Sequence, residues 1–195
     1  MKKFVGSVAL AATIAATFVG CSSKEEANPD VVSFECKQEG VRAPNWTCNP
    51  DAGIEGVVSE LGSAPYSKLG AGFTRREALA NARSNLAQQI QSLVKDKVET
   101  FARSTGVGAS EVADKVSTQV SKQVAKVSLK GSKQLEFWQQ PNTKTIYILV
   151  GMNESSMNEE IKNSVKSSYK NDNALWQQFQ SKNALESLDK EFPTD

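Results

Sequence analysis

From Thr74 to Ala102, apolar residues recur at almost every fourth position: Ala78, Ala82, Leu86, Ile90, Val94, Val98 and Phe101, with Leu79 and Leu93 widening the stripe. That spacing predicts one long amphipathic helix. Thr74 followed by Glu77 reads as a capping box at its start, and Gly106 as its stop. Alanines lead the stripe, so that end can lie close to a sheet. A second helix is predicted from Ser110 to about Val127, with Val112, Val116, Val120, Val124 and Val127 along one side. Valine has modest helix propensity, so packing must hold this helix.

Strand-like runs flank the helical pair. Val57 to Leu61 is a short strand candidate bounded by Gly56 and by Gly62-Ser63-Ala64-Pro65. Leu69-Gly70-Ala71-Gly72 lacks the Lys-Ser/Thr ending of a phosphate loop and reads as a plain loop. Gln134 to Trp138, the turn Pro141 to Lys144, and Thr145 to Val150 predict a hairpin whose second strand is central or well buried. Beyond it, Ser156 and Glu159 suggest another capping box, and Met157, Ile161, Val165 and Tyr169 a helical stripe. A last amphipathic segment, Leu175 to Phe192, carries Trp176, Phe179, Leu185 and Leu188. Its stripe drifts, which predicts a break near Ser181. Trp176 and Phe179 are of the type that anchors interfaces, or else they pack on their own sheet.

The amino terminus has a different pattern. Lys2 and Lys3 precede an almost uncharged run, Phe4 to Val19, that ends at Gly20. This is the order of an export signal. About 16 residues make roughly 24 Å of helix, short for a bilayer core of about 30 Å, so a cleaved signal is expected rather than a retained anchor. Phe18-Val19-Gly20-Cys21 resembles the lipobox of bacterial lipoproteins, with Phe18 in place of the usual Leu. That resemblance implies a lipidated Cys21, followed by a polar tether from Ser22. Two or more acyl chains hold a protein on a membrane where one binds only reversibly. Ser22 stands where Asp would signal retention at the inner membrane, so the sorting pattern of such lipoproteins implies the outer membrane.

Cys36 and Cys48 are the two cysteines that remain, and an even pair in an exported chain reads as a disulfide. Its loop of about 13 residues contributes roughly 3 kcal/mol at most in the chain-entropy view. The formal charge is +1, and losing Lys2 and Lys3 with the signal leaves the chain near neutral, which gives no electrostatic case for nucleic acid. The chain contains 0 His. Pairings of His with Ser or Cys and His-ligated metals are thereby excluded, and no cofactor or metal is expected. Glu159 and Glu160 are adjacent at a helix start, where they suit the helix dipole better than glycoside hydrolysis.

Gly62-Ser63-Ala64 after a strand, the pairs Glu77-Ala78 and Ala82-Arg83, Ala87-Gln88-Gln89-Ile90, Gly131 before the hairpin and Tyr147-Ile148-Leu149-Val150 together resemble the Lpp-twenty family. These are bacterial outer-membrane lipoproteins, and the likeness runs from about Gly53 to Asn153. The resemblance implies an α+β fold, a small antiparallel sheet packed by a long helix, with no catalytic residues. The further C-terminal helices lie outside the shared core. Some relatives are flagellar accessory lipoproteins and others are surface antigens. The expected organisation is a signal peptide at 1–20, a lipidated tether at 21–31, a disulfide-closed segment at 32–56, the α+β domain at 57–153 and C-terminal helices at 154–195.

The expected function is therefore non-enzymatic: a lipid-anchored outer-membrane protein, facing the periplasm, with a structural or assembly role through self-association or contact with envelope or flagellar proteins. The alternative is an envelope adaptor that binds peptidoglycan. Arg75, Arg76 and Arg83, with Asn81 and Asn85, are its candidate ligands for peptide carboxylates, since an Arg fork suits that task. Arg83 adjoins the packed Ala82 and is expected to be partly buried.

Overall fold

A computed structural model describes residues 35–51 and 54–194. The signal region, Cys21 and the tether lie outside the described residues. Residues Glu35–Asp195 form one compact unit. Its elements in chain order are β1 (Lys37–Gln38), β2 (Val41–Arg42), a 3-10 turn (Asn45–Thr47), β3 (Val57–Ala64), α1 (Ala71–Thr105), α2 (Ser110–Gly131), β4 (Lys133–Gln139), β5 (Ile146–Asn153), α3 (Glu154–Lys170), α4 (Asn173–Ser181) and α5 (Ala184–Glu191). The fold is α+β. Among the described residues, no helix is long and apolar enough to cross a membrane.

The main sheet has the order β3-β5-β4, antiparallel throughout. β5 is central, as its apolar run requires, since side chains on both of its faces are buried. Ile146, Ile148, Val150 and Met152 join the main core on the α1 side. Tyr147, Leu149 and Gly151 point to the other side and are buried too. β3 runs through Gly62-Ser63-Ala64 instead of ending before them. Gly62 is there because α1 crosses close above it: a Cβ at this position would fall 2.5 Å from the Ala78 carbonyl oxygen.

α1 begins at Ala71, three residues before the expected cap, so Ala71 and Gly72 are helical and Gly70 (φ 97) is the N-cap. Thr74 lies buried in the first turn. Its hydroxyl accepts from the Ser67 amide at 2.9 Å, so it braces the preceding turn instead of capping the helix. Gly106 ends α1 in the left-handed conformation (φ 62), as expected.

At about 100° per residue, each four-residue step overshoots a full turn by about 40°, so the buried stripe winds some 240° round α1 between Thr74 and Val98. Its first alanines meet β3, and its end meets the C-terminal helices, where the Phe101 ring lies 6.1 Å from that of Phe179. A stripe that turns in this way lets one helix serve two packing neighbours.

α2 returns along α1 with Val116, Val120 and Val124 buried, beside the small residues Ala113, Ser117, Ser121 and Ser128. Val127 departs from the expected stripe, since the winding carries it out to solvent at 36% exposure. α3 buries Met157, Ile161, Val165 and Tyr169 as expected. Its cap is Asn153, whose side chain accepts from the Ser156 amide at 3.2 Å, and not Ser156 itself. The C-terminal segment breaks at Lys182–Asn183, where Asn183 takes φ 51. Phe179 is enclosed by Phe101, Tyr169 and Trp176, with Trp176 stacked on it at 5.4 Å. The two aromatics thus pack on helices of their own chain.

Candidate functional surfaces

Cys36 and Cys48 are joined in a disulfide, with Cα atoms 5.9 Å apart. Between them, Glu39 (φ 51) and Gly40 (φ 78) make the two-residue turn of the β1–β2 hairpin, and positive φ at both positions is what such a turn needs. Gln38 donates its side-chain amide to the Thr47 carbonyl at 2.8 Å and ties the hairpin to the 3-10 turn.

The crosslinked segment covers the face of the sheet opposite α1. The hairpin tip docks there: the Glu39 carboxylate accepts hydrogen bonds from the Thr143 hydroxyl and, at 3.3 Å, from the Tyr147 phenol. Ser59 donates to the Pro50 carbonyl at 2.7 Å, and the Trp138 ring lies 5.3 Å from that of Tyr147. The hydrogen bond from Thr143 holds the Glu39 carboxyl below the usual carboxylate range. Burial, with the Glu39 charge beside it, pushes the Tyr147 phenol above its ordinary value. The sequence offers no local signal for this contact, because Glu39 and Tyr147 lie 108 residues apart.

The five polar candidates on α1 separate into different tasks. Asn81 donates to the Ser63 carbonyl at 2.9 Å and Asn85 to the Leu61 carbonyl at 2.8 Å. Both carbonyls belong to β3, an edge strand, and the Leu61 amide is taken up by the Glu60 carboxylate at 3.2 Å. The asparagines therefore close a sheet edge and are not spare ligands. Arg75 donates to the Gln134 side chain at 3.0 Å and lies over the Phe137 ring at 5.5 Å, and so covers β4 from the α1 side. Arg76 lies over Phe73 at 5.9 Å.

Arg83 is exposed, in contrast to the expected partial burial. Ala82 faces β3, and one residue further round the helix the side chain points away from it. Arg83 lines an open groove of about 490 Å³ between α1 and the end of α2, with Ala80, Ala87, Gln91, Leu129 and Lys130. Its floor is apolar and its rim carries two cations and amides, a combination that suits a ligand with a carboxylate and a short apolar stem. The three arginines do not converge on one site.

β4 contrasts with β3. It is the other edge of the sheet, and a bulge at Leu135 interrupts its pairing with β5. Leu135 and Phe137 are exposed, Phe137 to 46%, although they belong to a strand. The sequence reads Gln134 to Trp138 as the first strand of a hairpin, but only the sheet order shows that, among the described residues, this strand lies at an edge.

A search of curated proteins finds no match to the chain. The family model described as LPP20 lipoprotein matches residues 44–153, which takes in Cys48, the 3-10 turn, the whole main sheet and the α1–α2 pair. The chain belongs to the LPP20 lipoprotein family.

Proposed function

We propose that this lipoprotein is a non-enzymatic assembly component, anchored through Cys21 in the outer membrane with its domain in the periplasm, and that it makes its protein contacts through β4. The carrying observation is the asymmetry of the two sheet edges. β3 is closed by Asn81, Asn85 and Glu60, whereas among the described residues none bonds to the outer edge of β4, which exposes Leu135 and Phe137. An open edge with apolar side chains suits strand addition or a face-to-face contact. Confinement to a membrane raises the effective concentration, so even a weak site can serve. A place beside the flagellum follows from the family resemblance alone, and a deletion strain with unchanged motility would remove it.

The test is crosslinking in intact cells, with sedimentation of the purified lipoprotein in detergent. Oligomers or crosslinked partners that disappear with Phe137→Asp support the reading. A monomer with no crosslinked species overturns it.

A second reading, an adaptor for peptidoglycan, is favoured by one observation: Arg83 has no hydrogen-bond, ion-pair or aromatic partner among the described residues and faces a groove. Co-sedimentation with purified sacculi, lost on Arg83→Ala, supports it.

A further inference from the structure

α2 carries a second feature, of which the readings above use only Lys130, at the rim of the Arg83 groove. From Lys115 to Lys133 the chain has five lysines and no acidic residue. Lys115, Lys122, Lys126 and Lys130 are all exposed. At about 100° per residue they fall within some 80° of one another, on the side of α2 opposite Ala113, and span about 22 Å along its axis. The polar residues between them on that side are Gln119 and Gln123, uncharged amides. None of the four lysines takes part in an ion pair among the described residues, although Lys37, Lys95 and Lys162 elsewhere each do. In a chain of formal charge +1, this face therefore concentrates positive charge that the rest of the molecule balances elsewhere.

We propose that the solvent face of α2 is a docking surface for an anionic lipid headgroup layer, the surface next to which a lipoprotein anchor holds the domain. Complementary charge is the first argument. The chemistry of the row is the second: ammonium groups on long flexible stems act as point charges and fix no geometry, as suits a fluid layer of phosphates rather than one shaped ligand. The third is the scarcity of apolar side chains on this face. Val127, 36% exposed at one margin, and half-buried Leu129 at the other are the apolar groups that border it, too few to carry the helix into the acyl region, so it would lie on the headgroups. The inference rests on the lipid anchor and is independent of contacts made by β4.

The lipidated full-length protein, reconstituted into vesicles, provides the test. Each lysine is modified with a membrane-impermeant amine reagent and its extent of labelling is read by mass spectrometry. Lys190, exposed on α5, is the internal reference. In vesicles that contain phosphatidylglycerol, labelling of Lys122, Lys126 and Lys130 should fall by about threefold or more relative to neutral phosphatidylcholine vesicles, and high salt should erase the difference. The triple variant Lys122→Gln, Lys126→Gln, Lys130→Gln changes only exposed side chains, and in it Lys115 should lose its protection. Equal labelling in both lipids overturns the proposal. Protection that arises only when sacculi are added also overturns it, and assigns the row to the wall polymer.

Discussion

Gly62 on β3 stands against Ala82 on α1 so closely that a Cβ at Gly62 would come within 2.5 Å of the Ala82 Cα and nearer still to its amide nitrogen. Both atoms are helix backbone and cannot swing aside. Gly62→Ala therefore has to push α1 off the sheet, and should cost about 1–3 kcal/mol or more by overpacking. Gly72 makes the opposite control. A Cβ there meets only the tip of Arg76, at 3.9 Å, within the first turn of α1. Gly72→Ala should stabilise by about 0.5–1 kcal/mol through the unfolded chain. Urea unfolding of the two variants gives the signs directly.

The same contact explains why β3 was legible only in part. Gly62-Ser63-Ala64 reads as a turn by composition, and the close approach that demands glycine is a tertiary fact. Likewise, Thr74 and Glu77 have the spacing of a capping box, yet the Thr74 hydroxyl is engaged by Ser67 outside the helix. The stop at Gly106 was readable because a left-handed C-cap is a local requirement. The separation of Arg75, Arg76 and Arg83 into different surroundings was not readable, since it depends on where β4 and α2 lie. What helical periodicity could supply was the buried side of each helix, as the stripe from Met157 to Tyr169 shows.

Asn81 and Asn85 hold the β3 carbonyls at 2.9 and 2.8 Å. Each alanine substitution should cost about 0.5–1.5 kcal/mol. The double variant should also expose the edge to strand pairing between copies and so aggregate more readily in light scattering. Unchanged colloidal behaviour would show that α1 shields this edge by bulk alone.

Phe179 is fully buried at the centre of the aromatic group, so Phe179→Ala should cost about 3–5 kcal/mol. Trp176 is half-buried and stacks on it from the outside, next to Lys170 at 5.1 Å. Trp176→Ala should lower the unfolding midpoint by less than Phe179→Ala and leave any self-association unchanged. Loss of oligomers in the Trp176 variant, with stability retained, would move the interface from β4 to α4.

The docking of the hairpin tip should depend on pH in both directions. The Glu39 carboxyl titrates below its unfolded value, so its contribution is present above about pH 4.3 and is lost as the pH falls through the lower folded value. Tyr147 titrates above its unfolded value, so its contribution is present below about pH 10 and is lost as the pH rises through the raised folded one. Trp138, packed on Tyr147, supplies the fluorescence signal. Glu39→Gln should flatten most of the acid limb. The remainder reports Glu35, which Lys37 also holds below the usual range. Tyr147→Phe should flatten the alkaline limb apart from the share of Tyr169, which burial also raises.

Lipidation is tested on Cys21 itself. Cys21→Ser should leave a chain that incorporates no labelled palmitate and is released from the membrane fraction. Normal labelling of that variant would place the acyl groups elsewhere.

The disulfide also sets a mechanical path. A pull that arrives at Glu35 reaches Cys36 at once and crosses the sulfur bridge to Cys48, so the hairpin and the 3-10 turn between them bear no tension. From Cys48 the force enters β3, which is held lengthwise along β5 by antiparallel pairing from Val57 to Ala64. Without the bridge, the chain from Cys36 to Cys48, a sequence separation of 12, could extend as slack, roughly 40 Å in place of a 5.9 Å link. Reduction would thus lengthen the leash and let the domain stand further from its anchor under load.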